Sequence, residues 1–536
     1  MVIGDGTSDP IVTRLAEQDK TPWYKKPNMR IMYLWLFLCC MGVEMTSGFD
    51  SSLINNLQNI DNFKLYFGGG YKNPKGKLDI EASLLGIINA SYQLGSIFAV
   101  PFAPWVNNRY GRRMGIVVGS VVMCVGSIIQ GFAVNPGMYI AARIILGWGI
   151  LFAIISGSSL IGELGHPKER ASLTSLFNAS YGIGAILGTA VTMASSDIPS
   201  DYAWRIPSWL QICPSILQLA TVYLLPESPR WLVSRDREDE AYAVLTKYHA
   251  EGDQTSILVQ AEIAQIVSTL KIEAEHSKQS WMTMVRTSAM RRRIFIAAFL
   301  GLFTQMSGNT LLSYYSNKIY DIMGFTDQYR KFRLNMGNSC WGFLIGVVVA
   351  LIVPRYPRRR MFMLSSSSMT ICFTVITICY YFLEQAANMK LQNWPASIAA
   401  LVFWWLYTPC YNIGNNALTY TYLVELFPYA VRSRGIGVEQ IFGKSGGFFS
   451  TFVNPIAMDN IGWKFFAAYC GWIVLEFVFQ FFFYPETYGR TLEELTFLFE
   501  DKALAEQAVQ AVHKQIDSAP QAPLDILELN SRSKGG

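Results

Sequence analysis

The sequence predicts an all-α membrane protein of twelve transmembrane helices, built as two six-helix repeats joined by a cytoplasmic helical linker. Three observations carry this. Apolar runs of about twenty residues, the length that crosses a hydrocarbon layer of about 30 Å as a helix, occur six times before the polar stretch 226–293 and six times after it. The composition is 51% hydrophobic and 15% charged over 536 residues, with a mean hydropathy of +0.24, too apolar for an ordinary soluble domain. Charged and proline-containing landmarks of the first half also return in the second, about 250 to 260 residues later.

The tail 1–30 mixes acidic and basic residues without an early apolar core, so it reads as a cytosolic segment rather than a cleaved signal peptide. The first half, 31–225, opens with a helix from about Ile31 into Gly48-Phe49-Asp50. A polar loop with Gly68-Gly69-Gly70 and Lys72 to Lys77 follows. Further helices are expected near Ser83–Pro104, Met114–Val134, Met138–Gly162, Ser172–Ala194 and Pro207–Leu225. The linker, 226–293, is charged and amphipathic and is expected to lie as short helices against both halves. The second half, 294–484, gives helices near Ile294–Tyr320, Met336–Val353, Met361–Leu383, Pro395–Val424, Gly437–Ala457 and Trp463–Tyr484. The tail is 485–536; after about Leu498 it reads as helical at first and then disordered.

Arg109, Arg112, Arg113, Arg291 to Arg293 and Arg358 to Arg360 fall in loops that twelve alternating crossings place on one face. The positive-inside rule makes that face cytoplasmic, together with both termini. The basic loops at Lys72–Lys77 and Arg330–Arg333 run against this count. A net charge of +5 spread over short loops gives no reason to expect nucleic acid as a partner. The nine cysteines show no metal-like pairing, and no Gly-rich Lys-Ser/Thr loop or nucleophile–base constellation appears. An enzyme, a cofactor, a metal and ATP-driven pumping are therefore not expected.

The repeat is specific. Asn108-Arg109-Tyr110-Gly111-Arg112-Arg113 pairs with Pro354-Arg355-Tyr356-Pro357-Arg358-Arg359. Glu163 and Arg170 pair with Glu425 and Arg432 at the same separation, and Pro226-Glu227-Ser228 pairs with Pro485-Glu486-Thr487. A duplicated six-helix unit implies a transporter with its site between the halves.

These residues, with Gly48-Phe49-Asp50, Pro226-Glu227-Ser228-Pro229-Arg230-Trp231, Gln305-Met306-Ser307-Gly308, Glu425-Leu426-Phe427-Pro428 and Gly489-Arg490-Thr491, resemble the sugar porter family of the major facilitator superfamily over essentially the whole membrane-spanning length. Lys247-Tyr248-His249-Ala250, Ser307-Gly308-Asn309 and Asn454-Pro455 look like the fungal lactose permease and cellodextrin transporter branch. The chain departs from the family at Asn108, where Asp is usual, at Pro354 and Pro357, at Asn178, where hexose carriers often have Gln, and at Asn416-Ala417 in place of Gly-Pro. The resemblance implies alternating access, uptake of a sugar (a disaccharide or oligosaccharide ahead of a hexose), and residence in the plasma membrane. Sugar, proton and membrane lipid are the expected partners, with no obligate protein partner. A polyol, organic acid or secondary metabolite as cargo, a facilitative carrier, and a transport-inactive receptor remain as alternatives.

Asp50 is an ionisable group at membrane depth, costly unless paired or wetted, and a proton site by that argument unless it merely ends its helix in outside water. The resemblance supplies Arg143 as its partner and switch. Glu44 is a second intramembrane acid, on a different helical face, whose role is read as structural or unassigned ahead of functional. Hydroxyls stripped of water need amide and hydroxyl replacements. Gln305, Asn309 and Ser313, spaced by four, would share one helical face with Tyr314 nearby. Asn178, Gln305, Asn309, Asn416 and Tyr420 are the expected substrate contacts, each also able to serve only as an interhelical hydrogen bond. Arg109, Arg112, Arg113, Glu163, Arg170, Glu425 and Arg432 resemble the family's charge network, whose making and breaking would bias the conformational equilibrium.

Overall fold

The computed structural model describes residues 15–16, 19, 21–72, 76, 78–277, 285–352, 356–389, 391–427 and 431–487, except the side chains of residues 171, 175, 268, 269, 271–277, 420, 424, 432 and 433. Among the described residues nine helices are long and apolar enough to span a bilayer. They are α1 (Pro27–Leu57), α2 (Ala82–Ala99), α3 (Arg112–Gly131), α4 (Pro136–Leu164), α5 (Ser172–Ser195), α7 (Ser288–Ile322), α8 (Gln328–Ile352), α9 (Arg358–Asn388) and α12 (Trp463–Phe483). Three further segments complete twelve: α6 (Tyr202–Leu210 and Ile212–Thr221), α10 (Trp394–Tyr411, Asn412–Asn416 and Thr419–Leu426) and α11 (Arg432–Ile461).

Packing repeats as the sequence does. α1 lies on α5 as α7 lies on α11, α3 on α4 as α9 on α10, and α3 on α6 as α9 on α12. The halves meet where α2 crosses α11 and α5 crosses α8, with α1 touching α7. Backbones come very close inside the first half. A Cβ at Gly48 would stand 2.0 Å from the Tyr181 carbonyl oxygen, and one at Gly184 would stand 1.9 Å from that of Met45. The small residues that let membrane helices touch are thus what Gly48-Phe49-Asp50 provides, carrying Asp50 into the interior.

Departures from a regular ladder in α1, α10 and α7 bear on the site. α1 has a π-helical turn at Phe37–Met41, and α10 has one at Asn412–Asn416. α7 breaks at Ser307-Gly308, with Gly308 at φ +100°, a left-handed conformation that glycine adopts without penalty. The sequence had predicted an unbroken helix there. α8 and α11 also begin earlier than expected, at Gln328 and Arg432 rather than Met336 and Gly437. In α8 a hydropathy argument discards the first turns because they carry charge, yet Lys331 is 5% exposed and paired with Asp321 at 2.6 Å.

The linker forms helices at Pro229–Val233, Glu238–His249 and Ile257–Ser277. Acidic residues in the first turn and Lys247 in the last turn of the middle helix oppose its dipole. Two of the linker's hydrogen-bonded contacts reach the first half. The Glu251 carboxylate accepts the Asn28 and Met29 amides at 3.1 Å each, satisfying donors that α1 leaves open at its start. His249 bridges Glu262, at 2.7 Å, and the carbonyl oxygen of Leu164 at the end of α4, at 3.1 Å. The C-terminal tail beyond 487 lies outside the described residues, as do Pro354 and Arg355.

Candidate transport site

Asp50 on α1 and Arg143 on α4 form an ion pair at 2.8 Å, with side chains 1% and 0% exposed. Gln211 Nε2 donates to the same Asp50 oxygen at 2.8 Å, and Arg143 Nε donates to the carbonyl oxygen of Ile88 at 3.1 Å. Asp50 Oδ2 has no hydrogen-bond partner among the described residues. A buried charge pair is stable only with such supporting hydrogen bonds. The Arg143 guanidinium lies 5.1 Å from the centre of the Tyr92 ring.

Tyr92 also lines a polar cavity of about 370 Å³ between the halves. Asn178, Gln305, Asn309 and Asn416, all expected contacts, line it, together with Ser313, Tyr314 and Asn412. The reason given for Gln305, Asn309 and Ser313 needs correction. The α7 break separates Gln305 from the other two, so they converge on the cavity across a kink rather than along one continuous face. Asn412 and Asn416 stand on the π-helical turn of α10, where an extra residue per turn re-aims side chains. The side chain of Tyr420 lies outside the described residues. Asp50 itself does not line the cavity; Tyr92, whose ring faces its partner Arg143, does.

From its middle the cavity extends toward the face that carries the Arg112, Arg291 and Arg358 loops, here called the arginine face, since Val349, Thr419 and Glu439 line it. The opposite face is closed by hydrogen bonds between the halves. Asn55 donates to Ser316 at 2.7 Å, Asn317 to the Asn55 carbonyl oxygen at 2.6 Å, and Asn335 to Asn56 at 2.7 Å. Gln58 donates to the Tyr314 carbonyl oxygen at 2.7 Å, and Lys331 to Asn59 at 3.3 Å.

At the arginine face the two halves carry the same network twice. Arg112 donates to Glu163 at 2.9 Å, and Arg358 to Glu425 at 3.3 Å. The backbone amide of Arg112 donates to Glu227 at 3.1 Å, and that of Arg358 to Glu486 at 2.9 Å. Ser228 donates to Glu163, and Thr487 to Glu425. Arg113 and Arg359 donate to the carbonyl oxygens of Tyr223 and Phe481. These bonds run within each half. Among the described residues the Arg109 side chain makes no hydrogen bond to these groups; it is exposed, 5.8 Å from the Tyr110 ring. Arg170 lies in electrostatic reach of Glu262 on the linker, and the Arg432 side chain lies outside the described residues.

The sequence reading passed over four charged or amide groups of consequence. Glu439, Gln440 and Lys444 on α11 line the cavity opposite Glu44. Glu476 on α12 is fully buried and accepts from Ser307 at 2.5 Å, Asn415 at 2.8 Å and Gln480 at 2.9 Å, joining the α7 break to the α10 π turn. The rule that singled out Asp50, that charge inside a span calls for a function, marks Glu439, Lys444 and Glu476 equally.

A two-fold repeated helical bundle that closes on one face and holds a polar cavity open toward the other is a membrane transporter. The profile of the family described as Sugar (and other) transporter matches residues 35–499. The chain belongs to this family, the sugar transporters of the major facilitator superfamily, which are carriers and not enzymes. It is similar to hexose transporter HXT13 of Saccharomyces cerevisiae, with 26% identity over 88% of this chain and 84% of that protein. It is similar also to MFS-type transporter criB of Aspergillus cristatus, with 26% identity over 88% and 95%. Among solved structures, the proton:xylose symporter XylE bound to 6-bromo-6-deoxy-D-glucose shares the fold at a TM-score of 0.72. Its identity is 21%, over 88% of this chain and all of that one.

Proposed function

We propose that this chain is a proton-coupled importer of a neutral sugar, with a disaccharide or short oligosaccharide preferred to a hexose, working by alternating access from the plasma membrane. The observation that carries the reading is the buried Asp50–Arg143 pair, with Tyr92 lying against Arg143 and also lining the amide-lined cavity. An acid held beside a fixed cation keeps its proton off, and takes one up when the cation moves away. Asp50 is the proton site in this reading, with Oδ2 the oxygen left to receive it, and Arg143 is the switch. Tyr92 touches both the switch and the cavity, so occupancy of one bears on the other. Asn178, Gln305, Asn309 and Asn416 serve as replacement partners for sugar hydroxyls. The arginine face is cytoplasmic, along with the linker and both termini. The duplicated networks of Arg112 with Glu163 and Arg358 with Glu425 would close that face when the halves rock together.

The test is uptake of labelled lactose, cellobiose, glucose and xylose into cells that lack their own sugar transporters, at acidic and neutral pH. Acid-stimulated accumulation of one sugar supports the reading. Surface-resident protein that moves none of them overturns the sugar assignment. The likeness to an MFS-type transporter that is not named for hexoses keeps a second cargo class in view, a polyol, organic acid or secondary metabolite, and those solutes are the next panel.

A further inference from the structure

Glu44 on α1 and Glu439, Gln440 and Lys444 on α11 line the cavity on its arginine-face side, and the coupling reading above uses none of them. Glu439 is only 4% exposed, and Lys444 reaches both Glu44 and Glu439 electrostatically. One acid therefore comes from the first half, and the other acid and the ammonium from the second.

Their register sets them on a separate level from the amides. Gly447 on α11 stands beside Gln305 and Gln93; a Cβ there would lie 3.4 Å from the Gln305 side-chain oxygen and 3.4 Å from the Gln93 amide carbon. Lys444 and Gln440 lie closer to the arginine face by about 4.5 Å and about 10 Å, at a rise of 1.5 Å per residue. On α1, Glu44 is displaced from Ser51, another lining residue, by about 10 Å in the same direction. Lys444 is thus set off by about the advance of one glycosyl unit, and Gln440 and Glu44 by about two.

The mixture of signs selects a ligand class. A cationic group would face Lys444, and an anionic group would face two carboxylates. A hydroxyl is donor and acceptor at once, so adjacent hydroxyls on one ring satisfy the ammonium and the carboxylates together. Bonds of this kind are charge-assisted and stronger than those to amides. We propose that Glu44, Glu439 and Lys444 form a second saccharide subsite, which takes the second ring of a disaccharide whose first ring lies against Gln305 and Asn309. This rests on the sugar-carrier reading, and it locates the size preference in named residues.

The experiment is uptake by cells expressing the parent, Lys444→Met, Glu44→Gln and Lys444→Arg, with cell-surface amount measured for each. KM is read for cellobiose and lactose, and glucose and xylose are read as substrates or as competitors of disaccharide uptake. The expected result is a disaccharide KM raised about tenfold or more in Lys444→Met and in Glu44→Gln, the scale of a lost charged hydrogen bond. Monosaccharide values stay within about twofold, and Lys444→Arg recovers part of the loss. Glu44→Gln sits on the other half, so a folding defect in one variant leaves the other to decide. Equal losses for both sugar sizes, no change in either, or a parent that takes monosaccharides alone overturns the subsite while leaving the carrier reading standing. A parent that neither takes up nor is inhibited by any sugar overturns both.

Discussion

Asp50 and Arg143 lie 2.8 Å apart on helices whose sequence separation gives no hint of contact, and Gln211 from a third helix donates to the same carboxylate oxygen. Asn at position 50 keeps the shape and hydrogen-bonding capacity but cannot carry the proton. Asp50→Asn is expected to abolish acid-stimulated accumulation while exchange of sugar across the membrane persists. The variant also leaves Arg143 without its counter-charge, a loss of about 3–5 kcal/mol when a buried pair is broken. Adding Arg143→Gln should recover part of the thermal stability, read from the melting of detergent-solubilised protein, without restoring accumulation.

The duplicated network makes a paired prediction. Glu163 holds Arg112 and Ser228 as Glu425 holds Arg358 and Thr487. Glu163→Gln and Glu425→Gln should each slow uptake by about tenfold, the scale of one charged hydrogen bond. An effect confined to one half would show that the geometric repeat is not a functional one.

Glycines give a contrast that packing alone decides. Gly48→Ala places a methyl 2.0 Å from a backbone oxygen, so the helices must part, at a penalty of about 1–3 kcal/mol or more. Gly162→Ala meets nothing within 4 Å and gains helix propensity of about 1 kcal/mol. Thermal melting should fall for the first and hold or rise for the second.

Linker docking should weaken in acid. Burial pushes the pKa of His166 below its ordinary value, with His249, its ring 5.3 Å away, acting in the same direction and Glu169 and Glu262 opposing. A depressed histidine favours the docked, neutral form above about pH 6.5, and that contribution falls as pH drops below this value. Burial works to raise the Glu262 pKa, but His249, then Arg170 and His166, hold it below the usual carboxylate range. Its contribution is present above that range and is lost only as pH falls through the lowered value. Hydrogen exchange over Glu238–Ser277 should therefore speed up between pH 7.5 and pH 5.5, and His166→Gln should flatten the change. Unchanged exchange in the parent would remove His166 from this role.

Much of the fold was legible because bilayer thickness imposes a length on every span and duplication writes the landmarks twice. Asp50 was legible because charge within a span stands out. The α7 break was not, since Gly308 acquires meaning only once its φ is known, and the π turn at Asn412–Asn416 leaves no residue pattern that differs from a regular helix. Lys444 and Glu439 were visible as letters inside the expected helix Gly437–Ala457, but which face of that helix lines the cavity opposite Glu44 is set by tertiary packing. Tyr92 could not be assigned because an aromatic residue in a span is ordinarily packing, and only the position of Arg143 against its ring gives it another part.

The bonds from Asn55, Asn317, Asn335, Gln58 and Lys331 that shut the far face have an energetic scale worth setting beside the cargo. Each such bond contributes about 1 kcal/mol net, because water replaces it when the halves part, so together they amount to about 5 kcal/mol. A solute held at millimolar affinity brings about 4 kcal/mol. The two are of one magnitude, so a solute that favoured the opposite orientation by its whole binding energy would offset most of this seam. Strengthening this seam with a buried ion pair or a disulfide would produce a more stable protein that turns over more slowly.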